Sequence, residues 1–240
     1  YIVYGPLLQG CASILYEGKP VGTPDAGAYW RIVERHRVTA LFTAPTAMRA
    51  IKREDPDGHF MRESQLDSLR ALFLAGERAD PDTVRWAAEK LDRPVIDHWW
   101  QTEIGWPMVA NALGLGLLPI KPGSPTRALP GYQIEVLDSE GRVLPPNTQG
   151  ELVIKLPLPP GCLPTLWNDP AGFHAAYLRA HPGYYTTGDG GHIDEDGYVH
   201  VMGRIDDVIN VAGHRLSTGE LEQALAGHAL QTVSEFGATL

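Results

Sequence analysis

Three stretches of the chain carry groups suited to phosphate, divalent metal and sugar hydroxyls. In "DHWWQTEIG", residues 97–105, two tryptophans run directly into Gln101, Thr102 and Glu103. A threonine hydroxyl can donate to a phosphate oxygen. A carboxylate at Glu103 can hold Mg2+, a hard cation that commonly takes one or two carboxylates plus substrate phosphates. If the strand continues through Trp99 and Trp100, one faces the core and the other a ligand or a helix. Taken alone, a Thr-Glu turn after a strand is more often structural. In "TTGDGGHIDEDG", residues 186–197, Asp189 stands between glycines. Its carboxylate can accept from two vicinal hydroxyls, as a ribose offers, or can satisfy N–H groups of its own turn, the commoner use of Gly-Asp-Gly. In "GRIDDVINVAGHR", Arg204 and Arg215 stand 11 residues apart. Either can grip a phosphate, and ion pairs with Asp206 or Asp207 account for them equally well.

The elements around these groups must bring them together. "AYWRIVERHRV" puts Trp30, Val33 and Arg37 on one helical stripe, and "ALFTAP" reads as a short strand ended by Pro45. That proline suits the first turn of a helix over "PTAMRAIKRED". "RALFLAG" is a second strand, followed by Asp80 as N-cap, Pro81, and Val84, Ala88 and Leu91 at helical spacing. "RPVIDHW" is a third. This rhythm predicts a mainly parallel sheet with crossover helices, and ligands bind beyond the C-terminal ends of such strands. "LAGER" and "HWWQTE" sit at those ends. From about Gly131 the period changes to alternation around D-S-E-G and D-E-D-G turns, predicting an antiparallel barrel or curved sheet. Ser217 and Glu220 form a capping box for a last helix, and the boundary between units falls in "GRIDD".

Composition narrows the class. A chain of 240 residues, 43% apolar, is globular, and its formal charge of −9 disfavours nucleic acid and anionic membranes as partners. No apolar run approaches the roughly 20 residues needed to span a bilayer, and no secretory signal pattern opens the chain. Two cysteines, Cys11 and Cys162, predict a reducing compartment without a disulfide framework or zinc motif. Nine histidines include no His-x-x-x-His pair. The abrupt start at "YIVYGPLL" and the stop at "EFGATL" predict a piece of a longer protein, whose missing parts would leave sheet edges and apolar surface uncovered and give poor solubility in isolation.

"TAPTAMRAI", "LAGER", "DHWWQTEIG", "KPGSPT" and "YYTTGDGGHIDEDGYVHVMGRIDDVINVAGHRLS" occur in this order along the chain. Together they resemble the adenylate-forming, AMP-forming acyl-CoA synthetases, and within them most closely the short-chain acetyl- and propionyl-CoA synthetases. The likeness runs over residues 1–228.

The resemblance implies an α/β fold. Residues 1–128 would form the parallel-sheet α/β part of a partial large adenylating domain, and 129–205 its antiparallel, barrel-like part. Residues 206–240 would hold the hinge and the start of a small α+β C-terminal domain. It implies ATP, Mg2+ and coenzyme A alongside a short-chain carboxylate, and a cytoplasmic enzyme, or a mitochondrial-matrix one in a eukaryote. Ala75, Gly76 and Glu77 would line the adenine and acyl side of the pocket, continued by Asp97, Trp99 and Trp100, with Trp100 closing the acyl end. Gln101 would lie in the same binding turn, Thr102 would contact the α-phosphate and Glu103 would hold Mg2+. Asp189, assisted by Arg204, would bind the ribose hydroxyls. Asp206 would be the hinge, Arg215 would reach the phosphate during adenylation, and Ala212 and Gly213 would lie beside the coenzyme A path.

The likeness also has gaps. The family's Ser/Thr/Gly-rich phosphate loop, and the Trp and Thr completing its acyl pocket, would precede Tyr1. Its late lysine would follow Leu240, and "ALQTVSEFGATL" does not track the pattern. These 240 residues alone are therefore expected to be inactive. A non-catalytic nucleotide-binding or interaction module on the same scaffold is the alternative. A medium-chain or aryl acid ligase is disfavoured by Trp100. Acetate-specific relatives tend to carry Val at the position of Ala75, so the smaller residue points to propionate over acetate.

Overall fold

Short apolar strands alternate with amphipathic helices in the first half of the chain, because each strand end is followed by a helix-starting signal. The computed structural model describes residues 3–205, and the backbone of 208–211 and 214–217. Helix α1 (Tyr4–Leu8) is followed by α2 (Ala28–His36), which buries Trp30 and Val33. Arg37 does not extend that stripe as the spacing predicts. It is the exposed C-cap, in the left-handed region at φ 50°. Strand β1 (Ala40–Thr43) leads into α3 (Pro45–Glu54), with proline in its first turn and Ala47, Met48 and Ile51 buried. After α4 (His59–Glu63) and β2 (Ala71–Leu74), Asp80 caps α5 (Pro81–Leu91) by accepting from the Thr83 amide at 2.8 Å. Strand β3 (Val95–Trp100) completes a parallel trio in which Ala40 pairs with Ala71 and Leu72 with Val95.

The sheet is less uniformly parallel than the rhythm implies. Strand β4 (Pro107–Ala110) pairs antiparallel with β3, and β5 (Arg127–Ala128) pairs antiparallel with β4, giving the order β1-β2-β3-β4-β5. The turn of residues 101–106 is too short for a crossover helix, so β4 can only return antiparallel. Trp30, Met48, Ile51, Leu72, Leu74, Val84 and Leu91 form the core beneath the parallel trio.

A second sheet holds β6 (Ile134–Leu137), β7 (Gly150–Lys155), β8 (Tyr184–Ile193) and β9 (Val199–Arg204), all antiparallel in that order, with α6 (Pro170–Tyr177) between β7 and β8. Asp138 builds the first turn by accepting from the amides of Glu140 and Arg142, and Asp194 builds the second by accepting from those of Asp196 and Tyr198. The register shifts between Leu152 and Val153 and between Gly190 and Gly191, where bulges bend a sheet. Along β8 the residues alternate, with Tyr185, Thr187, Asp189 and Gly191 on the buried face. Asp189 is thus a strand residue turned inward, not the turn residue that Gly-Asp-Gly suggests.

One core joins the two sheets. Trp99, Met108 and Val109 of the first pack with Ile134, Val136, Leu152, Ile154, Tyr185 and Val199 of the second. The backbone crosses the same seam, since the Val199 amide donates to Thr126 O at 2.8 Å and Ser124 Oγ donates to Val199 O at 2.5 Å. Beyond it, β10 (Val208–Val211) and β11 (His214–Ser217) pair antiparallel, with Arg215 opposite Asn210. Ser217 ends β11, and the helix expected to start there lies outside the described residues, as do Asp206, Asp207, Ala212 and Gly213. Among the described residues no helix is long and apolar enough to cross a membrane.

Candidate nucleotide and phosphate site

Strands β2 and β3 end at one edge of the first sheet, and the turns that follow them form one wall of a cleft. Gly76 can lead the first turn because it sits at φ 103°, a region costly for any residue with a Cβ. A cavity of about 280 Å3 opens there, lined by Gly76, Glu77, Asp97, Trp99, Trp100 and Gln101 on one side and Asp189 and Arg204 on the other. It continues into a second of about 360 Å3 bordered by Trp100, Gln101, Thr102, Glu103, Tyr177, Thr187 and Arg204. Gly76, Trp100, Gln101 and Arg204 border both.

The cleft converges on Asp189. Its Oδ2 accepts from Trp99 Nε1 at 2.9 Å and from Gln101 Nε2 at 2.8 Å, and Arg204 Nη1 lies 3.5 Å from its Oδ1. Burial raises the Asp189 carboxyl above its usual range, only partly countered by the Trp99, Gln101 and Arg204 contacts. Gln101 and Arg204 also share Thr187 O, at 2.7 and 2.8 Å. Arg204 thus has Asp189 as a charged partner, while Asp206 and Asp207 lie outside the described residues. Glycine suits position 188 beside it. At φ 72°, an added Cβ would lie 2.5 Å from Arg204 Nη2.

The adjacent pair of tryptophans divides its work. Trp99 is buried against the second sheet, while Trp100 is half-buried and faces the cleft. The pairing with β4 shifts register between them. Asp97 lines the first cavity, where burial pushes its carboxyl up to about 8 against the opposing pull of the His98 amide and the Arg78 charge. His98 lies close to the rings of Phe42 and Phe73 and bonds Leu74 O through Nδ1 at 3.1 Å; burial lowers its pKa. The neutral ring with its proton on Nδ1 satisfies that carbonyl.

Two predicted wall residues have further or different placements. Ala75, the neighbour of Gly76, is buried and is not among the residues that line the two cavities. Glu77 does line it, and its carboxylate also accepts from the Thr46 amide at 2.5 Å and pairs with Arg49 at 3.0 Å, tying the start of α3 to the turn. Thr102 is exposed at the mouth. Glu103 Oε1 accepts from the Tyr177 hydroxyl at 2.9 Å, and Glu103 O accepts from the Leu163 amide at 2.6 Å. Burial first, and then Glu103, raise the Tyr177 hydroxyl. The Arg215 side chain lies outside the described residues.

The donor set suits a hard divalent cation that arrives with phosphate. Among the described residues no group of three or more His, Cys, Asp or Glu could form a cage. Glu103 offers one carboxylate beside the Thr102 hydroxyl and the Arg204 guanidinium, the arrangement in which substrate phosphates and water complete the shell of Mg2+.

Several lining residues escape a motif-by-motif reading. Arg78, His98, Gly123 and Pro125 border the first cavity from within "LAGER", "DHWWQTEIG" and "KPGSPT", so the motifs hold the signal although single roles do not stand out. Tyr177 lies 74 positions from Glu103 in a segment with no motif.

A loop and hairpin brace this wall. Lys121 Nζ reaches Asp194 at 2.5 Å and Asp196 at 2.7 Å and stands 4.3 Å over the Tyr198 ring. Burial alone would raise Asp194, but bonds from Lys121, the Tyr198 amide and His200 outweigh it and bring the carboxyl down to about 2.

The chain is similar in sequence to known proteins. The family model described as "AMP-binding enzyme" matches residues 1–159. An uncharacterized protein of Pseudomonas aeruginosa is 59% identical over 98% of this chain and 37% of its own length. The acyl-CoA synthetase short-chain family member 3, mitochondrial, of Homo sapiens is 49% identical over 95% of this chain and 33% of its own. The propionate--CoA ligase of Escherichia coli is 47% identical over 95% of this chain and 36% of its own. The chain spans about a third of the length of these curated relatives. With its parallel-containing sheet, its separate antiparallel sheet and the matching family model, the chain belongs to the AMP-binding enzymes.

Proposed function

We propose that the full-length protein activates a short-chain carboxylic acid with ATP, forming an acyl-adenylate and releasing pyrophosphate, and then transfers the acyl group to coenzyme A with release of AMP. The observation that carries this is the convergence of Trp99, Gln101 and Arg204 on the Asp189 carboxylate, in the same cleft as Thr102 and Glu103. The names of the relatives support the substrate class.

The substrate carboxylate attacks the α-phosphorus in line, and the chain's residues position groups and neutralise charge. Asp189 accepts from the ribose hydroxyls, with Arg204 holding it in place. Thr102 donates to an α-phosphate oxygen. Gly76, Glu77, Asp97 and Trp99 wall the adenine side. When bound through Glu103, Mg2+ supplies charge neutralisation at the phosphates. Arg215 reaches the phosphate during adenylation, Asp206 is the hinge for the second half-reaction, and Ala212 and Gly213 flank the path of coenzyme A. On this reading residues 1–128 and 129–205 are two parts of one adenylating domain, and residues 206–240 hold the hinge and the start of a C-terminal domain. Residues 1–240 alone are inactive, because the phosphate loop and adenylation lysine required by the likeness are not among them.

Propionate is the preferred acid, with acetate second. Trp100 limits acyl length, and the likeness, in which acetate-specific relatives tend to carry Val at the position of Ala75, favours room for one more methylene. Cytoplasm, or mitochondrial matrix in a eukaryote, is the proposed compartment. The test is acid-dependent ATP–pyrophosphate exchange by the full-length protein with acetate, propionate and butyrate. Exchange strongest with propionate is expected, and none with any acid overturns the proposal.

A further inference from the structure

Glu103 would be a poor metal ligand if its carboxylate rotated freely at the mouth of the cleft. It does not hang free. Its Oε1 accepts from the Tyr177 hydroxyl at 2.9 Å, and both residues line the same cavity. Tyr177 is itself held. Its ring stacks on Tyr185 with centroids 5.3 Å apart and planes within 4°, and Phe173 packs at 5.4 Å. Tyr185, 1% exposed, donates its hydroxyl to Gln101 Oε1 at 3.3 Å, and Gln101 Nε2 reaches Asp189 at 2.8 Å. A continuous path of contacts thus joins the proposed ribose carboxylate to the proposed metal carboxylate.

We propose that Tyr177 is a positioning residue for the metal. By fixing Oε1, its hydroxyl presents the other carboxylate oxygen of Glu103 to the divalent cation that enters with the nucleotide. The proposal rests on the functional reading of the cleft given above. Partners that orient a ligating carboxylate commonly contribute 10–100-fold in metal affinity. Packing alone would instead make Tyr177 matter for folding and for nucleotide binding with and without metal alike.

Tyr177→Phe keeps the stacked ring and removes only the hydroxyl. In the full-length protein, Mn2+ binding is read by electron paramagnetic resonance in the presence of a non-reacting ATP analogue, and the analogue's own affinity is measured without metal. The thermal midpoint serves as a folding control. The variant is expected to bind Mn2+ about tenfold more weakly in the ternary complex, with metal-free analogue affinity and melting close to wild type. A parallel weakening is expected in the Mg2+ dependence of pyrophosphate exchange. An unchanged Mn2+ midpoint, or an equal loss of metal-free analogue binding, overturns the role of Tyr177 while leaving the acid-activation reading intact. Wild-type protein with no acid-dependent exchange, or Glu103→Gln with unchanged Mn2+ binding, overturns the reading on which it rests and this proposal with it.

Discussion

The indole N–H of Trp99 donates to the Asp189 carboxylate over 2.9 Å, though 90 positions separate the two residues. The contact ties the end of β3 to the middle of β8 and makes the cleft a property of two sheets together. Removing one donor from a buried carboxylate costs about 1–3 kcal/mol. Trp99→Phe in the full-length protein should therefore lower unfolding stability by roughly that amount, more when lost packing is added, and should raise KM for ATP. Urea denaturation and initial-rate kinetics check both.

Asp97 gives a pH signature. Its carboxyl is held up to about 8 in the folded protein against an ordinary 3.8, so the folded state keeps a proton that the unfolded state releases. Its favourable contribution is complete below about pH 4 and is lost as pH rises towards 8. Asp97→Asn should flatten the fall in stability across that window. Melting curves at pH 5 and pH 8 test this, and an unaltered difference between them would count against the assignment.

Acyl preference should respond to Ala75. One methylene is worth roughly 1–3 kcal/mol in a fitted pocket, so Ala75→Val should move the ratio of kcat/KM towards acetate by about tenfold or more. Because Ala75 is buried and adjoins the lining Gly76, the added methyl groups would act through that neighbour. An unchanged ratio for acetate and propionate sinks the idea.

Gly188→Ala combines a positive φ of 72° with a Cβ placed 2.5 Å from the Arg204 guanidinium. Strain of about 1–2 kcal/mol and displacement of Arg204 should appear together. The expected outcome is a modest fall in melting temperature with a larger rise in KM for ATP.

Much of the scaffold is legible in the sequence because its signals are local. Pro45 and the Asp80-Pro81 pair start the helices they predict, and the Asp-led turns at 138–141 and 194–197 close the hairpins expected of them. The antiparallel strands β4 and β5 are harder, since β5 is a two-residue strand recruited by its neighbour rather than by its own pattern. The site divides in the same way. Gly76, Trp100 and Glu103 stand in recognisable motifs, and the fold carries them to one cleft. Tyr177 and the inward orientation of Asp189 depend on contacts between distant segments, which no local periodicity encodes. The cap that Glu77 gives α3 is hidden for the same reason, being a hydrogen bond to Thr46, 31 positions away.

Lys121, clasped by Asp194 and Asp196 over the ring of Tyr198, lies two residues before Gly123, which borders the first cavity. One wall of the cleft is thus held by partly solvent-facing charges. Ionic strength can slacken such a clasp without any ion entering the cleft, so nucleotide affinity should acquire a salt dependence that Lys121→Met diminishes.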